Sequence, residues 1–407
     1  MSLVAGSYER FIWGFKLKSQ KHSESFSLTP LFSFPSHLSP IKCAAVAGSA
    51  AVTGGSDDTI KIYDLSTYSE IGSLHHTSSI TSLSFFTPTS SPISLPRNLI
   101  AAAEDGAVII YDADPFVHLK TVKNVHKKGV NDISIHPSGR LALSVGRDEC
   151  LAMVNLVRGR RSFCCRLGKE ASIVRFSDGG DKFFMVVDDK ISVHESEDAK
   201  IFCELDSKKR VLCAASGSNG ILFTGGEDRS IIAWDTNSGK VAYSIEDAHS
   251  ARVKGIVVLS ESDGGAYKNS PCIVASASSD GVIRVWDVRM TYKSSPLSES
   301  ETKSRLTCLA GSSLRFWGTM DAVDVLDYGL ARVANVIIDH PMPLQWSVSP
   351  PQDYRKVSSS SMEETAEDHA NNLVYLLLTS EKCTVSEAAL KLMELRFEEF
   401  KGPKIRR

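Results

Sequence analysis

Short apolar runs alternate with polar turns along most of the chain, and one such unit is written six times. Each copy has an Asp in a tight turn, a β-branched strand, an aromatic near the strand's end and often a second Asp. The copies run Asp57 to Tyr63-Asp64, Asp105 to Tyr111-Asp112, Asp148 to Asn155, Asp188 to His194, Asp228 to Trp234-Asp235 and Asp280 to Trp286-Asp287. Their turn acids lie 48, 43, 40, 40 and 52 residues apart. One four-stranded sheet takes about 40 to 45 residues, and that period with a Trp-Asp ending predicts propeller blades.

A second marker is independent of the first. A His stands four residues before the first apolar residue of the strand that opens a blade: His37 before Ile41, His76 before Ile80, His126 before Val130 and His249 before Val253. A hydroxyl stands four before the turn acid at Thr53, Ser144, Thr224 and Ser276. Buried polar groups must be paired, so these residues predict a His–hydroxyl–Asp–aromatic relay inside each blade. His249–Ser276–Asp280–Trp286 is complete. His37–Thr53–Asp57 ends in Tyr63, His126–Ser144–Asp148 ends in Val154, and Thr224, Asp228 and Trp234 lack the His. The blade of His76 has Ala101 in place of the hydroxyl, and the Asp188 blade has neither marker. Those two blades are expected to be looser. A set that recurs at blade spacing holds strands together, whereas a hydrolase triad occurs once per chain.

An open ring leaves a raw sheet edge, so the propeller must close. Residues 1–34 supply most of another blade: Val4-Ala5-Gly6, a turn at Glu9, Phe11-Ile12-Trp13-Gly14-Phe15, then Leu28 to Phe34. Its missing inner strand is expected from Arg305 to Ala310. The predicted fold is all-β, a seven-bladed WD-repeat β-propeller over residues 1–310, closed by strands from both ends of the chain.

Residues 311–370 read as a linker extension, with Pro341, Pro343, Pro350 and Pro351, then Ser358 to Ser361, then Glu363, Glu364, Glu367 and Asp368. Residues 371–402 read as helical. Thr384 and Glu387 fit a capping box, and Leu390, Met393, Phe397 and Phe400 form an amphipathic stripe that Gly402-Pro403 stops. The run Leu373 to Leu378 is too short to span a bilayer, so no membrane is expected as a partner.

Formal net charge is −2; residues 311–407 carry 11 basic and 14 acidic groups, leaving 35 and 34 in the ring. No global field draws in RNA or a lipid surface, so such contacts must be local. Nine cysteines without zinc spacing read as reduced thiols, and no signal peptide is indicated. Two local basic clusters stand out: Lys120, Lys123, Lys127 and Lys128, and Arg158, Arg160, Arg161 and Arg166, with Arg140 and Arg147 in the same blade. They are either solvated loop charge or a surface that meets an acidic partner or an RNA backbone on one side of the ring. The pairs Gly54-Gly55 and Gly225-Gly226 recur as blade turns and open no helix, so they cradle no phosphate. No cofactor, metal or small-molecule substrate is expected, and binding through loops on a rigid scaffold is the expected work.

Leu3 to Glu9, Ile135 to Gly146, Asn155 to Arg160, Ala275 to Gly281 and Arg305 to Leu309 are worded more specifically than blade turns in general. They resemble the p21-activated protein kinase-interacting WD-repeat family over about residues 1–310. The resemblance implies a non-enzymatic scaffold of the nucleus and nucleolus, because the fungal members are large-subunit ribosome assembly factors. Its implied partners are proteins of pre-ribosomal large-subunit particles, local contacts with ribosomal RNA, and p21-activated kinase, which it would restrain. That family usually ends in a Lys-rich tail, where this sequence has an acidic stretch and an amphipathic helix; a cytoplasmic pool is therefore also expected. A rival comes from Trp286-Asp287-Val288-Arg289, which resembles the blade end by which substrate receptors of cullin ubiquitin ligases meet their adaptor through the Arg.

Overall fold

The computed structural model describes residues 1–19, 26–88, 96–217, 220–260, 272–288 and 295–312. These residues form seven four-stranded antiparallel sheets, a seven-bladed β-propeller. The closing blade joins β1 (Ser2–Ser7), β2 (Phe11–Ser19) and β3 (Phe26–Pro35) to the last strand, β28 (Leu306–Ser312). Six blades follow in chain order: β4 (Ile41–Ala47) to β7 (Ser69–His75), β8 (Ile80–Phe86) to β11 (His118–Val122), β12 (Val130–Ile135) to β15 (Arg160–Arg166), β16 (Ile173–Phe176) to β19 (Ile201–Asp206), β20 (Val211–Ser216) to β23 (Lys240–Ile245) and β24 (Val253–Ser260) to β27 (Ser298–Glu301).

Burial explains the sequence pattern. Second strands such as β1, β9 (Asn98–Ala103) and β13 (Leu141–Gly146) are buried almost throughout, because each is covered on both faces by neighbouring blades. They therefore read as continuous apolar runs. Outer strands such as β7 and β15 are mostly exposed and more polar. The core lies between blades. Leu3, Phe15 and Leu17 pack with Leu259, Ile273 and Val285 on one side of the closing blade. Val4 and Ile12 pack with Ile41, Ala51 and Tyr63 on the other.

Closure is a two-ended ladder. Leu3 pairs with Gly311, Val4 with Ala310 and Ala5 with Leu309, while the same strand pairs Val4 with Gly14 on β2. β28 runs on to Ser312, two residues past Ala310. The extension and helix expected over 313–402 lie outside the described residues.

Six of the seven second hairpin turns place a residue in the left-handed region directly after the turn acid: Arg10, Asp58, Gly106, Glu149, Arg229 and Gly281. That conformation aims the residue's carbonyl at the following blade. There it accepts the backbone N–H of the loop His: His76 to Asp58 (2.8 Å), His126 to Gly106 (3.1 Å) and His249 to Arg229 (3.2 Å). At Gly106 no side chain fits, since a Cβ would meet the His126 carbonyl oxygen at 2.3 Å.

The Asp188 blade departs from the expected copy. Val187 pairs with Lys190, so Asp188 and Asp189 form a two-residue hairpin turn, shorter than the others, with Asp188 itself left-handed. Asp188 therefore does not occupy the turn-acid place, and its carboxylate lies 3.5 Å from Arg210 Nε.

Candidate functional site: buried relays and the rim of the ring

The loop before β4 carries His37 over β5 (Ala50–Gly55) and its turn. His37 Nε2 lies 2.8 Å from Thr53 Oγ1 and Nδ1 lies 3.0 Å from Asp57 Oδ1. Thr53 Oγ1 is 3.1 Å from the Tyr63 hydroxyl, which donates to Ser36 Oγ at 2.8 Å. The Leu38 N–H and the Thr59 hydroxyl also donate to the Asp57 carboxylate. Gly55 is required beneath this pair, because a Cβ would lie 2.3 Å from Asp57 Oδ1 and 2.5 Å from His37 Nδ1.

Two blades repeat the geometry. His126 spans Ser144 Oγ at 2.9 Å and Asp148 Oδ1 at 2.8 Å, and the Lys127 N–H donates to the other Asp148 oxygen. This chain stops at the apolar Val154. In the β24–β27 blade the Trp286 indole donates to Ser276 Oγ at 2.9 Å, and Ser276 Oγ lies 2.8 Å from His249 Nε2. The serine oxygen accepts from the indole and has both His249 Nε2 and, at 3.5 Å, the Arg284 carbonyl within reach of its own proton. His249 Nδ1 lies 3.4 Å from an Asp280 carboxylate oxygen, without a hydrogen bond among the described residues. Ser250 N and Val282 N donate to the same carboxylate. In the β20–β23 blade Trp234 donates to Thr224 at 2.8 Å, while Asp228 accepts from Ser230 N and lies apart from that pair.

The two blades without the full set find other partners. With Ala101 buried at the hydroxyl position, the Tyr111 hydroxyl reaches His76 Nε2 directly at 2.7 Å. The longer phenol bridges the gap that the missing Oγ leaves. In the β16–β19 blade His194 takes the aromatic's place, stacks on Phe183 at 4.8 Å and bonds Ser192 Oγ and the Ala199 carbonyl.

These groups are electrostatically settled. Burial would raise the carboxyls of Asp57, Asp148 and Asp280, but their His neighbours, hydroxyl groups and amide donors outweigh it and hold all three below the usual carboxylate range. Burial lowers the His37 ring against the pull of Asp57. Thr53, Ser144 and Ser276 are fully buried, so none presents a nucleophile to a substrate. Asp280→Ala should cost about 1–3 kcal/mol by orphaning the Ser250 and Val282 amides. Urea midpoints would measure it, and an unchanged midpoint would sink the structural role.

A pH series tests the same set. An unfolded His takes up its proton near pH 6.5, whereas folded His37 resists until lower pH. Stability should therefore fall as pH drops below about 6.5, by up to about 1.4 kcal/mol per unit for this ring. Below the ordinary Asp range the three depressed carboxylates add a second loss, because the unfolded chain protonates first. His37→Gln should shrink the first step and leave the part due to His76, whose ring burial also lowers; a stability that is level from pH 7.5 to 5 would contradict the assignment.

The basic residues do not make one patch. Lys127, Lys128 and Arg147 lie at the end of the blade where the loop enters β12 and where β13 turns into β14 (Cys150–Asn155). Arg140 and Arg158 lie in the turns at the opposite end, and Arg160, Arg161 and Arg166 run along the outer strand β15. Several are already engaged. Arg147 pairs with Glu104 at 2.8 Å, Arg166 with Glu149 at 3.2 Å, and Arg161 donates to the Val125 carbonyl. The one-sided surface read from sequence is thus divided, because antiparallel hairpins send successive turns to opposite ends. Arg289 lies outside the described residues, while Trp286 is buried and committed to Ser276.

Sequence comparisons agree with this architecture. The profile of the WD domain, G-beta repeat, matches residues 28–64, 118–153 and 243–287. The human p21-activated protein kinase-interacting protein 1 is 35% identical over 316 residues, 76% of this chain and 76% of that protein. The zebrafish (Danio rerio) p21-activated protein kinase-interacting protein 1-like is 32% identical over 312 residues, 76% of this chain and 80% of that protein. Protein MAK11 of Saccharomyces cerevisiae is 32% identical over 228 residues, 52% of this chain and 55% of that protein. The chain belongs to the p21-activated protein kinase-interacting protein 1 family of WD-repeat proteins.

Proposed function

We propose that this chain is a non-catalytic scaffold in assembly of the large ribosomal subunit, with p21-activated kinase as a second partner that it restrains. The observation that carries the reading is the extent of the family match, which runs over 312 to 316 residues, about the length of the whole ring. Relatives that share it are named for interaction with a kinase and not for a reaction. The ribosomal part rests on the wording from Ser138 to Arg160, which resembles the family whose fungal members build the large subunit. A rigid ring whose buried hydroxyls Thr53, Ser144 and Ser276 are spent on strand cohesion offers its loops and rim for binding. The proposed location is the nucleolus, with a cytoplasmic pool.

Depletion of the protein should lower mature large-subunit ribosomal RNA and accumulate its precursors. The tagged protein should sediment with those precursors. Unchanged precursor processing on depletion would overturn the ribosomal reading. Co-purification of a cullin adaptor that is lost on Arg289→Ala would support the ligase-receptor reading instead.

A further inference from the structure

One backbone hydrogen bond marks the same place on six blades. The residue just before the inner strand accepts, at its carbonyl, the N–H of the residue just before the turn acid. The pairs are Ser56 to Pro40 (3.0 Å), Glu104 to Ser79 (2.9 Å), Arg147 to Gly129 (2.9 Å), Glu227 to Arg210 (3.0 Å), Ser279 to Arg252 (3.1 Å) and Tyr8 to Arg305 (2.8 Å). Three of these blades hold Pro, Ser or Gly there. The three successive blades β20–β23, β24–β27 and the closing blade all hold arginine. The ion pairs of Arg210 and Arg305 among the described residues are long, each 3.5 Å, to the exposed carboxylates of Asp188 and Glu9. Such contacts bind weakly. Arg252 is exposed, with no side-chain partner among the described residues.

The next position but one sharpens the picture. On three blades the second residue of the inner strand reaches toward the following blade. Lys42 Nζ donates to Ser79 Oγ and Glu104 Oε2, both at 2.8 Å; Asn131 Nδ2 donates to the Ala171 carbonyl at 2.9 Å; Thr307 Oγ1 donates to the Ile41 carbonyl at 2.6 Å. Lys254 holds this position on β24. In the blade it faces, the places of Ser79 and Glu104 are taken by Arg305 and Tyr8, which supply no carboxylate. Lys254 is half-buried and has neither an ion pair nor a hydrogen bond among the described residues. Burial and the nearby Arg252 and Arg210 lower the pKa of its ammonium, against Cys213 and the exposed Glu227. A half-buried cation beside guanidinium groups is a site that lacks its anion.

An aromatic stands at the end of this arc. The Tyr8 ring is 53% exposed, and the Arg305 guanidinium lies over it at 4.6 Å. Cations set along a curve with an exposed aromatic suit a single-stranded nucleic acid, with phosphates on the cations and a base on the ring. The carboxylates of an acidic peptide would engage the cations alone, whereas a single strand engages both cations and ring. From this geometry we infer that Arg210, Arg252, Lys254 and Arg305, with Tyr8, bind the backbone and one base of a single-stranded polynucleotide. The site stands apart from the ribosomal reading, since any single strand meets its chemistry.

The test is fluorescence anisotropy of the full chain with labelled oligouridylate and oligothymidylate of about 12 nucleotides, a span within one such surface. The two probes distinguish RNA from DNA as the source. Arg252→Gln/Lys254→Gln should weaken binding at least about tenfold and reduce the log–log salt slope by about 1.4. Tyr8→Ala should weaken it about fivefold or more and leave the slope unchanged. Lys127→Gln/Lys128→Gln, which removes the same charge from another blade, should change neither. Thermal melts report whether each variant is folded, and Arg252→Gln alone, an exposed change, gives the same sign if the double variant does not fold. The inference is overturned if the wild-type chain does not bind at low salt, or if both double variants lose affinity equally. It is also overturned if polyglutamate binds as tightly and Tyr8→Ala has no effect, which would assign the arc to an acidic protein.

Discussion

A chain lacking residues 1–15 will show no cooperative thermal transition. The deletion removes β1 and half of β2, so β28 loses its neighbour and the ring opens on two raw edges. It also takes Leu3, Val4, Ile12 and Phe15 out of the core, each at most 1% exposed. At about 1.5–3 kcal/mol for each large side chain, the four account for about 6–12 kcal/mol. A typical domain has only about 5–15 kcal/mol in total. Burial lost on both flanks of the closing blade is therefore comparable with the whole stability of a domain, before the cost of the two open edges is added. The contrasting truncation, after Ser312, leaves every ladder pair of β28 in place and should keep a single sharp melt. Circular dichroism on the two constructions separates them directly. A cooperative melt without residues 1–15 would mean that the first and last segments are not the seam.

Asp132→Ala should be the most damaging single polar substitution. Asp132 is 5% exposed on β12 and ties three successive blades. It accepts from Ser82 Oγ of the preceding blade at 2.8 Å, and from Val174 N of the following one at 3.0 Å. The Arg175 guanidinium pairs with the same carboxylate. Alanine leaves the buried Ser82 and Val174 donors without an acceptor, at about 1–3 kcal/mol for each, so a loss of about 2–6 kcal/mol is expected. Asp132→Asn keeps one acceptor oxygen and should lose less. Equal midpoints for Asp132→Ala and the wild type in urea would show that the contacts are dispensable.

Local spacing made most of the ring legible. The offset of four between His37 and Ile41, or Thr53 and Asp57, follows from the hairpin register, so it survives even where Tyr63 or Val154 replaces the Trp. The first and last strands were legible because Leu3-Val4-Ala5 needs partners on both faces. Other features depend on contacts between blades, which spacing does not encode. Tyr111 compensates for Ala101 because a phenol is long enough to reach His76, a matter of length and not of order in the chain. Asp188 matches the copies in type yet sits in a shorter turn, since an Asp is equally at home in either. The Lys and Arg runs of one blade look like a single cluster in sequence, yet Lys127 and Lys128 sit at one end, Arg158 at the other, and Arg160, Arg161 and Arg166 run along the outer strand between them. Arg210, Arg252 and Arg305 are the converse case, far apart in sequence and equivalent in space. The available signal was positional: the residue three after each loop His, or just before each inner strand, is the one to compare.

The stitching of the first strand to the last has a consequence for the newly made chain. Leu3-Val4-Ala5 leaves the peptide exit early, but its partner Leu306 to Ala310 follows only after about 300 more residues. At about 5–20 residues per second, that delay is about 15–60 s. For that interval a wholly apolar edge waits beside six blades that are already pairing. Through that interval the unpaired strand is an open sheet edge, exposed to pairing with the wrong partner.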